Sequence, residues 1–219
     1  MPSAEGTKTQ NSTNIFLMLK SVFQPASQTS ENKPTLIMLH GRGADEHDLF
    51  GLKDQLDPRF DIYSLRAPFE YEWGGYAWFD RLEDGTVDAK GFDHSRNEII
   101  GVINSVKTEK IFLLGFSMGA IMSYSIALTH PGICTGIVAL SGFAPAQIEK
   151  EYTLQQLQDL HIFISHGISD PVIPISSARE TKALLGNSNA VVEYHEYPMA
   201  HQISEACLAD VNAWLAKLL

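Results

Sequence analysis

The stretch that decides the fold is residues 110–130, KIFLLGFSMGAIMSYSIALTH. It opens as a continuous apolar run, breaks at the five residues GFSMG, and resumes with apolar residues at helical spacing. The pattern predicts a buried strand, a sharp turn and a helix. Ser117 lies at the tip of this turn, where the backbone is strained and the hydroxyl is exposed, and a glycine two residues to either side lets strand and helix cross. We therefore take Ser117 as a candidate nucleophile.

Strands that are apolar on both faces alternate with helices along the rest of the chain. The predicted strands cover residues 15–23, 36–39, 60–65, 111–114, 136–142, 161–165 and 191–197. This alternation, at the spacing of right-handed crossovers, predicts an α/β fold with a mostly parallel sheet and helices on both faces. In such sheets the functional site lies at the carboxyl ends of the strands. Residues 1–12 are polar and are predicted to be a disordered tail, which leaves 13–219 as a single domain.

Helix-capping residues predict where several helices begin. Asp45 is expected to cap a helix that runs through Leu56. Ser95, with Glu98 three residues later, has the spacing of a capping box and predicts a helix over residues 95–106. The remaining helices are predicted over residues 176–185, ending before Gly186, and over residues 203–219.

Composition and charge exclude several classes of function. The chain has 219 residues, of which 44% are hydrophobic and 19% charged, as in an ordinary globular protein. The net charge of −10 argues against nucleic acid or an anionic membrane as a standing partner. Cys134 and Cys207 have no metal-binding spacing, and we interpret both as buried apolar residues rather than a disulfide. The N-terminus lacks the pattern of an export signal and no apolar run could span a bilayer, so a cytoplasmic protein is expected.

A serine nucleophile needs a base, and the base needs an acid that holds its tautomer. In this kind of fold the chain order is serine, acid, histidine. Of the five histidines after Ser117, His201 alone lies in a loop directly after the last strand, and we take it as the base. Asp170 follows a buried strand, in the turn GISDP at the carboxyl edge of the sheet, and we take it as the acid.

Two further loops complete the predicted site. The tetrahedral intermediate requires two backbone N–H groups, which we expect from Met118, directly after the nucleophile, and from Arg42, in the turn HGRG that follows an early strand. Residues 69–92 form a long segment rich in aromatic residues, of the kind that is usually functional. We expect Trp73, Trp78 and Phe79 to line the substrate pocket.

The motifs LHGRGAD, GYAWFD, GFSMG and HGISDPVIP and the final histidine loop together resemble the phospholipase/carboxylesterase family of small α/β hydrolases. The resemblance covers the chain from about Thr35 to its end. It implies a serine hydrolase of acyl esters or thioesters that needs no cofactor and no metal, has no separate cap domain and often forms dimers. Ser117, Asp170 and His201 match the family's triad, and Arg42 and Met118 match its oxyanion pair.

One departure from the family's pattern bears on the substrate. The better-known thioesterases of the family have an apolar residue in place of Arg42, whereas an arginine resembles some bacterial members. The sequence therefore favours an esterase of short-to-medium acyl esters over protein depalmitoylation. A lysophospholipase or acyl-thioesterase is the alternative within enzymes, a peptidase is compatible with the chemistry, and a non-catalytic binding protein with an α/β-hydrolase fold is the alternative outside them.

Overall fold

The computed structural model describes residues 19–28 and 33–219. Nine strands and four α-helices occur in this part of the chain. In chain order they are β1 (Ser21–Gln24), β2 (Thr35–Leu39), β3 (Asp61–Leu65), β4 (Phe69–Glu70), β5 (Tyr76–Ala77), α1 (Ala89–Ser105), β6 (Ile111–Phe116), α2 (Met118–Ala127), β7 (Gly136–Leu140), β8 (His161–Gly167), α3 (Ile175–Leu185), β9 (Val191–Tyr197) and α4 (Glu205–Leu218). Short 3₁₀ helices lie at Leu49–Gln55, Ala146–Glu151 and Leu154–Gln156.

Seven of the strands form one sheet in the order β1-β3-β2-β6-β7-β8-β9. Every neighbouring pair is parallel except β1 with β3. Strands β4 and β5 form a separate antiparallel pair, which we call the hairpin. The predicted mostly parallel sheet is confirmed. Because parallel strands end at the same edge, the loops after β2, β6, β8 and β9 meet at one place.

Both faces of the sheet are buried, which explains why its strands are continuously apolar. Ile37 and Leu113 face one core, together with the inner sides of α1 and α2, whereas Met38 and Leu114 face the other, together with α4. Successive side chains of a strand point to opposite faces, so each central strand supplies both cores. A fully buried aliphatic side chain contributes about 1.5–3 kcal/mol to the free energy of unfolding.

Two predicted helix starts were wrong. Asp45 does not cap a helix; its carboxylate accepts the amide of His47, and a 3₁₀ helix begins only at Leu49. The helix predicted from Ser95 begins earlier, at Ala89, with Asp88 as its cap. Asp88 is a better N-cap than Ser95 because its carboxylate accepts the amides of both Lys90 and Gly91.

The predicted first strand is only partly covered by the structure. Residues 15–18 and the predicted tail, residues 1–12, lie outside the described residues. Within the described part, the strand is β1, which pairs with β3 at an edge of the sheet. The other predicted strands and the helices near residues 176–185 and 203–219 are confirmed with small shifts of their ends.

Candidate active site

The turn between β6 and α2 places Ser117 at the edge of the sheet. Its backbone is in the left-handed region, with φ 54°, although it is not glycine. Two hydrogen bonds hold this conformation: the Ser117 amide donates to the Leu140 carbonyl at 2.8 Å, and its carbonyl accepts the Ala120 amide at 3.0 Å. A Cβ on Gly119 would collide with the Leu39 carbonyl oxygen, so the turn can form only with glycine there. The structure therefore shows the strained strand–turn–helix that the sequence predicted.

Asp170 and His201 form a hydrogen-bonded pair next to this turn. Asp170 lies in the loop after β8, where its Oδ2 accepts from His201 Nδ1 at 2.7 Å. Its Oδ1 accepts the amides of Val172 and Ile173 at 2.8 and 2.9 Å. Burial alone would raise the pKa of Asp170, but the hydrogen bonds from His201 and these amides outweigh burial and hold the pKa below its usual value. Asp170 is therefore an ionised acceptor, and Nε2 is the ring nitrogen of His201 left for another partner.

Backbone contacts hold the acid loop against the base loop. The amides of Ile168 and Ser169 donate to the carbonyls of Tyr197 and Met199, at 2.9 and 3.2 Å. A Cβ on Gly167 would collide with the carbonyl oxygens of the base loop, which explains the glycine. The His201 ring lies with its centroid 4.9 Å from that of Phe116, the residue before the nucleophile. The structure thus places the predicted acid and base as a hydrogen-bonded pair beside Phe116, the residue before the predicted nucleophile.

The loop after β2 approaches Ser117 from the other side. A Cβ built on Gly41 would lie 3.5 Å from the Ser117 Cβ. The Gly43 amide donates to the Tyr76 carbonyl at 2.9 Å, so it is not available to an oxyanion. Among the described residues, the amide of Arg42 has no backbone acceptor. The amide of Met118 is at the first position of α2, where no preceding turn supplies an acceptor.

His40 fixes this loop from inside the protein, a role that the sequence reasoning missed. Its ring is fully buried; Nδ1 donates to the Gly41 carbonyl at 2.6 Å and Nε2 accepts the Ala67 amide at 3.1 Å. These partners require the neutral ring. Burial lowers the pKa of His40, and its hydrogen bond to Gly41 only partly opposes the shift. The sequence signal for this role was the position of His40, directly before the glycine-rich turn.

The three aromatic residues predicted to line the pocket lie in different surroundings. Trp73 is 78% exposed, in the turn of the hairpin. Trp78 is 0% exposed, and its indole Nε1 donates to the His40 carbonyl at 2.9 Å. Trp78 therefore offers no surface to a substrate and instead supports the loop after β2, which corrects its predicted place. Phe79 does line a cleft of about 560 Å³, together with Ile121, one helical turn from the nucleophile.

Two other histidines are now placed. His195 lies on β9. Its ring stacks on Phe163 with a centroid separation of 5.0 Å, and its Nε2 lies 2.9 Å from Glu193 Oε1, so its contacts are those of a structural residue. His166, which sequence reasoning discarded, is fully buried beside the acid. Its Nε2 lies 2.8 Å from the Ile173 carbonyl and 3.4 Å from Asp170 Oδ2, so it supports the acid loop.

Residues 19–28 and 33–219 contain no cluster of three or more His, Cys, Asp or Glu side chains able to hold a metal ion. In the same residues no helix has both the length and the apolarity needed to cross a bilayer. Cys134 and Cys207 are both buried and unbridged, as predicted.

The sheet and the strained strand–turn–helix at Ser117, which we call the elbow, define an α/β hydrolase. The family model described as Phospholipase/Carboxylesterase matches residues 21–219, so the chain belongs to this family and is a serine hydrolase that acts on esters. An acyl-protein thioesterase 1 of Saccharomyces cerevisiae is 34% identical, with 93% of this chain and 98% of that protein covered. One of Debaryomyces hansenii is 32% identical over 67% of this chain and 70% of that protein. The crystal structure of a Bacillus cereus carboxylesterase superposes with a TM-score of 0.82 at 27% identity, over 93% and 96% of the two chains.

Proposed function

We propose that the protein is a carboxylesterase of short-to-medium acyl esters, with Ser117 as nucleophile, His201 as general base and Asp170 as the acid that orients it. The observation that carries the proposal is the Asp170–His201 hydrogen bond of 2.7 Å beside a serine held at φ 54°. A hydroxyl is a weak nucleophile until a base accepts its proton. The strained turn presents the hydroxyl, and the carboxylate stabilises the imidazolium that forms.

The reaction proceeds in two halves. Ser117 Oγ attacks the ester carbonyl carbon while its proton passes to His201 Nε2, and the tetrahedral intermediate collapses when His201 returns that proton to the leaving alcohol. Water then attacks the acyl-enzyme with the same base, which releases the carboxylic acid and restores the serine. The amides of Arg42 and Met118 donate to the oxyanion in both halves. Each such donor is worth roughly 2.7–4 kcal/mol of transition-state stabilisation.

The cleft beside Phe79 is the proposed acyl site. Its apolar lining includes Phe79, Phe92, Ile121, Phe143 and Ile148. Its volume of about 560 Å³ falls in the usual range for small-molecule sites. Arg81, Asp93 and Glu151 form part of its lining. Charged side chains in the lining disfavour contact with a long alkyl chain, which supports a short-to-medium acyl group.

An acyl-thioesterase is the second candidate, and the thioesterase relatives favour it. The same nucleophile, base and oxyanion donors would cleave a thioester. We also propose, from the sequence and the family resemblance, a cytoplasmic enzyme that forms a homodimer and needs no cofactor. The same reasoning supports a single domain over residues 13–219.

Covalent labelling tests the nucleophile, and histidine variants test the base. A fluorophosphonate probe should label Ser117, as mapped by mass spectrometry, and Ser117→Ala should lower kcat by roughly 10⁴-fold or more. His201→Ala should abolish turnover of p-nitrophenyl esters to a similar extent, whereas His195→Ala, the matched control on β9, should keep most of it. Labelling at another serine, or the reverse ranking of the two histidine variants, would contradict the assignment. A series of esters and thioesters of graded chain length then separates the two candidate substrates.

A further inference from the structure

The carboxylate of Glu46 is buried immediately beyond the loop that carries Arg42. Its side chain is 0% exposed, and its two oxygens accept from the Nε and Nη2 of Arg66, the latter at 2.7 Å. Lys20 Nζ and His47 Nε2 lie 3.3 and 3.6 Å from Glu46 Oε1. Burial alone would raise the pKa of Glu46, but the hydrogen bonds from Arg66 and Lys20 bring it down to about 2. The pair is therefore fully ionised at any pH at which an esterase is assayed.

Arg66 extends the pair to the hairpin. Its Nη1 donates to the Tyr76 hydroxyl at 2.8 Å, and its Cζ lies 4.2 Å from the centroid of the Tyr76 ring. The ring is thus held both at its face and at its hydroxyl. We call Glu46, Arg66 and Tyr76 the Glu46–Arg66–Tyr76 cluster.

The backbone next to this cluster holds the proposed oxyanion loop. The Tyr76 carbonyl accepts the Gly43 amide at 2.9 Å, and the Tyr76 amide donates to the Ala44 carbonyl at 2.8 Å. Ala67, directly after Arg66, donates its amide to the His40 ring at 3.1 Å. Residues on both sides of Arg42 are therefore tied to the cluster, while the amide of Arg42 itself is left without a backbone acceptor among the residues described.

Stability alone is a weak reason for such a pair. Removing two charges from water costs several kcal/mol per ion, and apolar replacements of buried ion pairs are often neutral or stabilising. The cluster also joins three separate segments: the loop after β2, the end of β3 and the hairpin. Catalysis by an oxyanion hole depends on donors fixed before the charge develops, which is what this arrangement supplies.

We propose that the Glu46–Arg66–Tyr76 cluster is a positioning device for the oxyanion hole, which fixes loop residues 40–44 so that the Arg42 amide faces the developing oxyanion. The inference rests on the proposed function and deepens it. The three residues do not contact substrate; they act through the backbone of the loop. Their removal should therefore weaken transition-state binding and leave ground-state binding unchanged.

Glu46→Gln, Arg66→Met and Tyr76→Phe test the cluster one contact at a time. Glu46→Gln and Arg66→Met should lower kcat by about 10- to 100-fold, since a misplacement of about 1 Å can cost 10²-fold, with KM within about twofold. Tyr76→Phe loses only the hydroxyl contact and should lower kcat severalfold. A boronic acid that forms a tetrahedral adduct with Ser117 should lose affinity by the same factor as kcat/KM falls.

Glu196→Gln is the matched control. It disrupts another bidentate pair, in which Arg179 Nε and Nη2 donate to Glu196, each at 2.8 Å, on α3 and β9. It should leave kcat and the boronate inhibition constant within twofold of wild type. Circular dichroism and thermal unfolding establish that each variant compared is folded.

Two results would overturn the inference. One is Glu46→Gln and Tyr76→Phe variants that are folded and keep both kcat and boronate affinity within twofold of wild type. The other is an equal loss of kcat in Glu196→Gln, which would mean that any broken ion pair has the same effect. Failure of the proposed function is recognised separately, because wild-type enzyme would then show no Ser117 labelling and no turnover.

Discussion

Arg42 separates a backbone role from a side-chain role within one residue. Its amide has no backbone acceptor within residues 19–28 and 33–219, whereas its side chain is exposed, with Cζ 5.3 Å from the Tyr71 ring centroid. The nearby carboxylate of Asp45 accepts the amide of His47. Every residue except proline supplies an amide N–H, so the two roles respond to different substitutions.

Arg42→Ala should keep most of the turnover of a neutral p-nitrophenyl ester, while Arg42→Pro should lose roughly 10²–10³-fold in kcat because one oxyanion donor is gone. Circular dichroism is the control for folding. A side-chain role would appear separately in Arg42→Ala, as a raised KM for esters that carry an anionic group. A folded proline variant with wild-type kcat would show that the oxyanion donor lies elsewhere, although Gly43 is already committed to Tyr76.

At the residue scale, the order of serine, acid and histidine and the loop positions after buried strands predicted Asp170 and His201, which the structure joins by a hydrogen bond of 2.7 Å. Their catalytic roles stay a prediction. The residues that support them were not predicted. His166 was not selected as the base, yet its Nε2 lies 3.4 Å from Asp170 Oδ2, the oxygen that also accepts from His201. The sequence lacks the information because that contact depends on how the turn after β8 folds back.

Among the elements, α1 and the aromatic segment differ most from what the sequence predicted. Ser95 and Glu98 have the spacing of a capping box, yet Ser95 lies within α1 and its hydroxyl donates to the Trp78 carbonyl. Capping patterns are local, and a serine within a helix can equally serve a tertiary contact. The functional character expected of the aromatic segment stays a prediction. Which of its rings face a cleft and which support a loop is decided by packing.

Phe79 and Trp78 are adjacent in sequence and are expected to differ in effect. Phe79→Ala enlarges the cleft and should raise kcat/KM for longer acyl chains relative to short ones, measured over a series of p-nitrophenyl esters. Trp78→Ala leaves a cavity and should cost about 3–5 kcal/mol of unfolding free energy, measured by urea denaturation, with a general loss of turnover. A uniform effect of Phe79→Ala across chain lengths would remove Phe79 from the acyl site.

For the whole molecule, the alternation of apolar strands with helices predicted the sheet because burial on both faces leaves a strong periodic signal. The contacts around loop residues 40–44 left no such signal. Within the Glu46–Arg66–Tyr76 cluster, Glu46 and Arg66 are 20 residues apart. His40 and Ala67, which are joined by a separate hydrogen bond, are 27 residues apart. Such pairings exist only once β2 and β3 lie side by side, so a linear reading cannot select them.

The buried neutral His40 predicts how global stability depends on pH. Its pKa in the folded protein is below the reference value of 6.5, so between the two values the unfolded chain binds more protons. The free energy of unfolding should therefore fall as the pH drops below about 6.5, until the folded pKa is reached. Urea denaturation between pH 5 and 7 measures this slope. His40→Asn should flatten it, while His130→Asn, at an exposed site, should not; identical slopes in wild type and His40→Asn would contradict the prediction.

The position of β9 has a consequence for synthesis on the ribosome. It is the last strand in the chain and an edge of the sheet, and the base follows it. His201 is translated 84 residues after Ser117 (from 117 to 201), so the emerging chain contains the complete elbow and oxyanion loop well before it contains a base. A serine without its base is a weak nucleophile. With His201 as the proposed base, we therefore expect nascent and prematurely terminated chains to be inert toward esters, and hydrolytic activity to begin only when the C-terminal residues have been made and have joined the sheet.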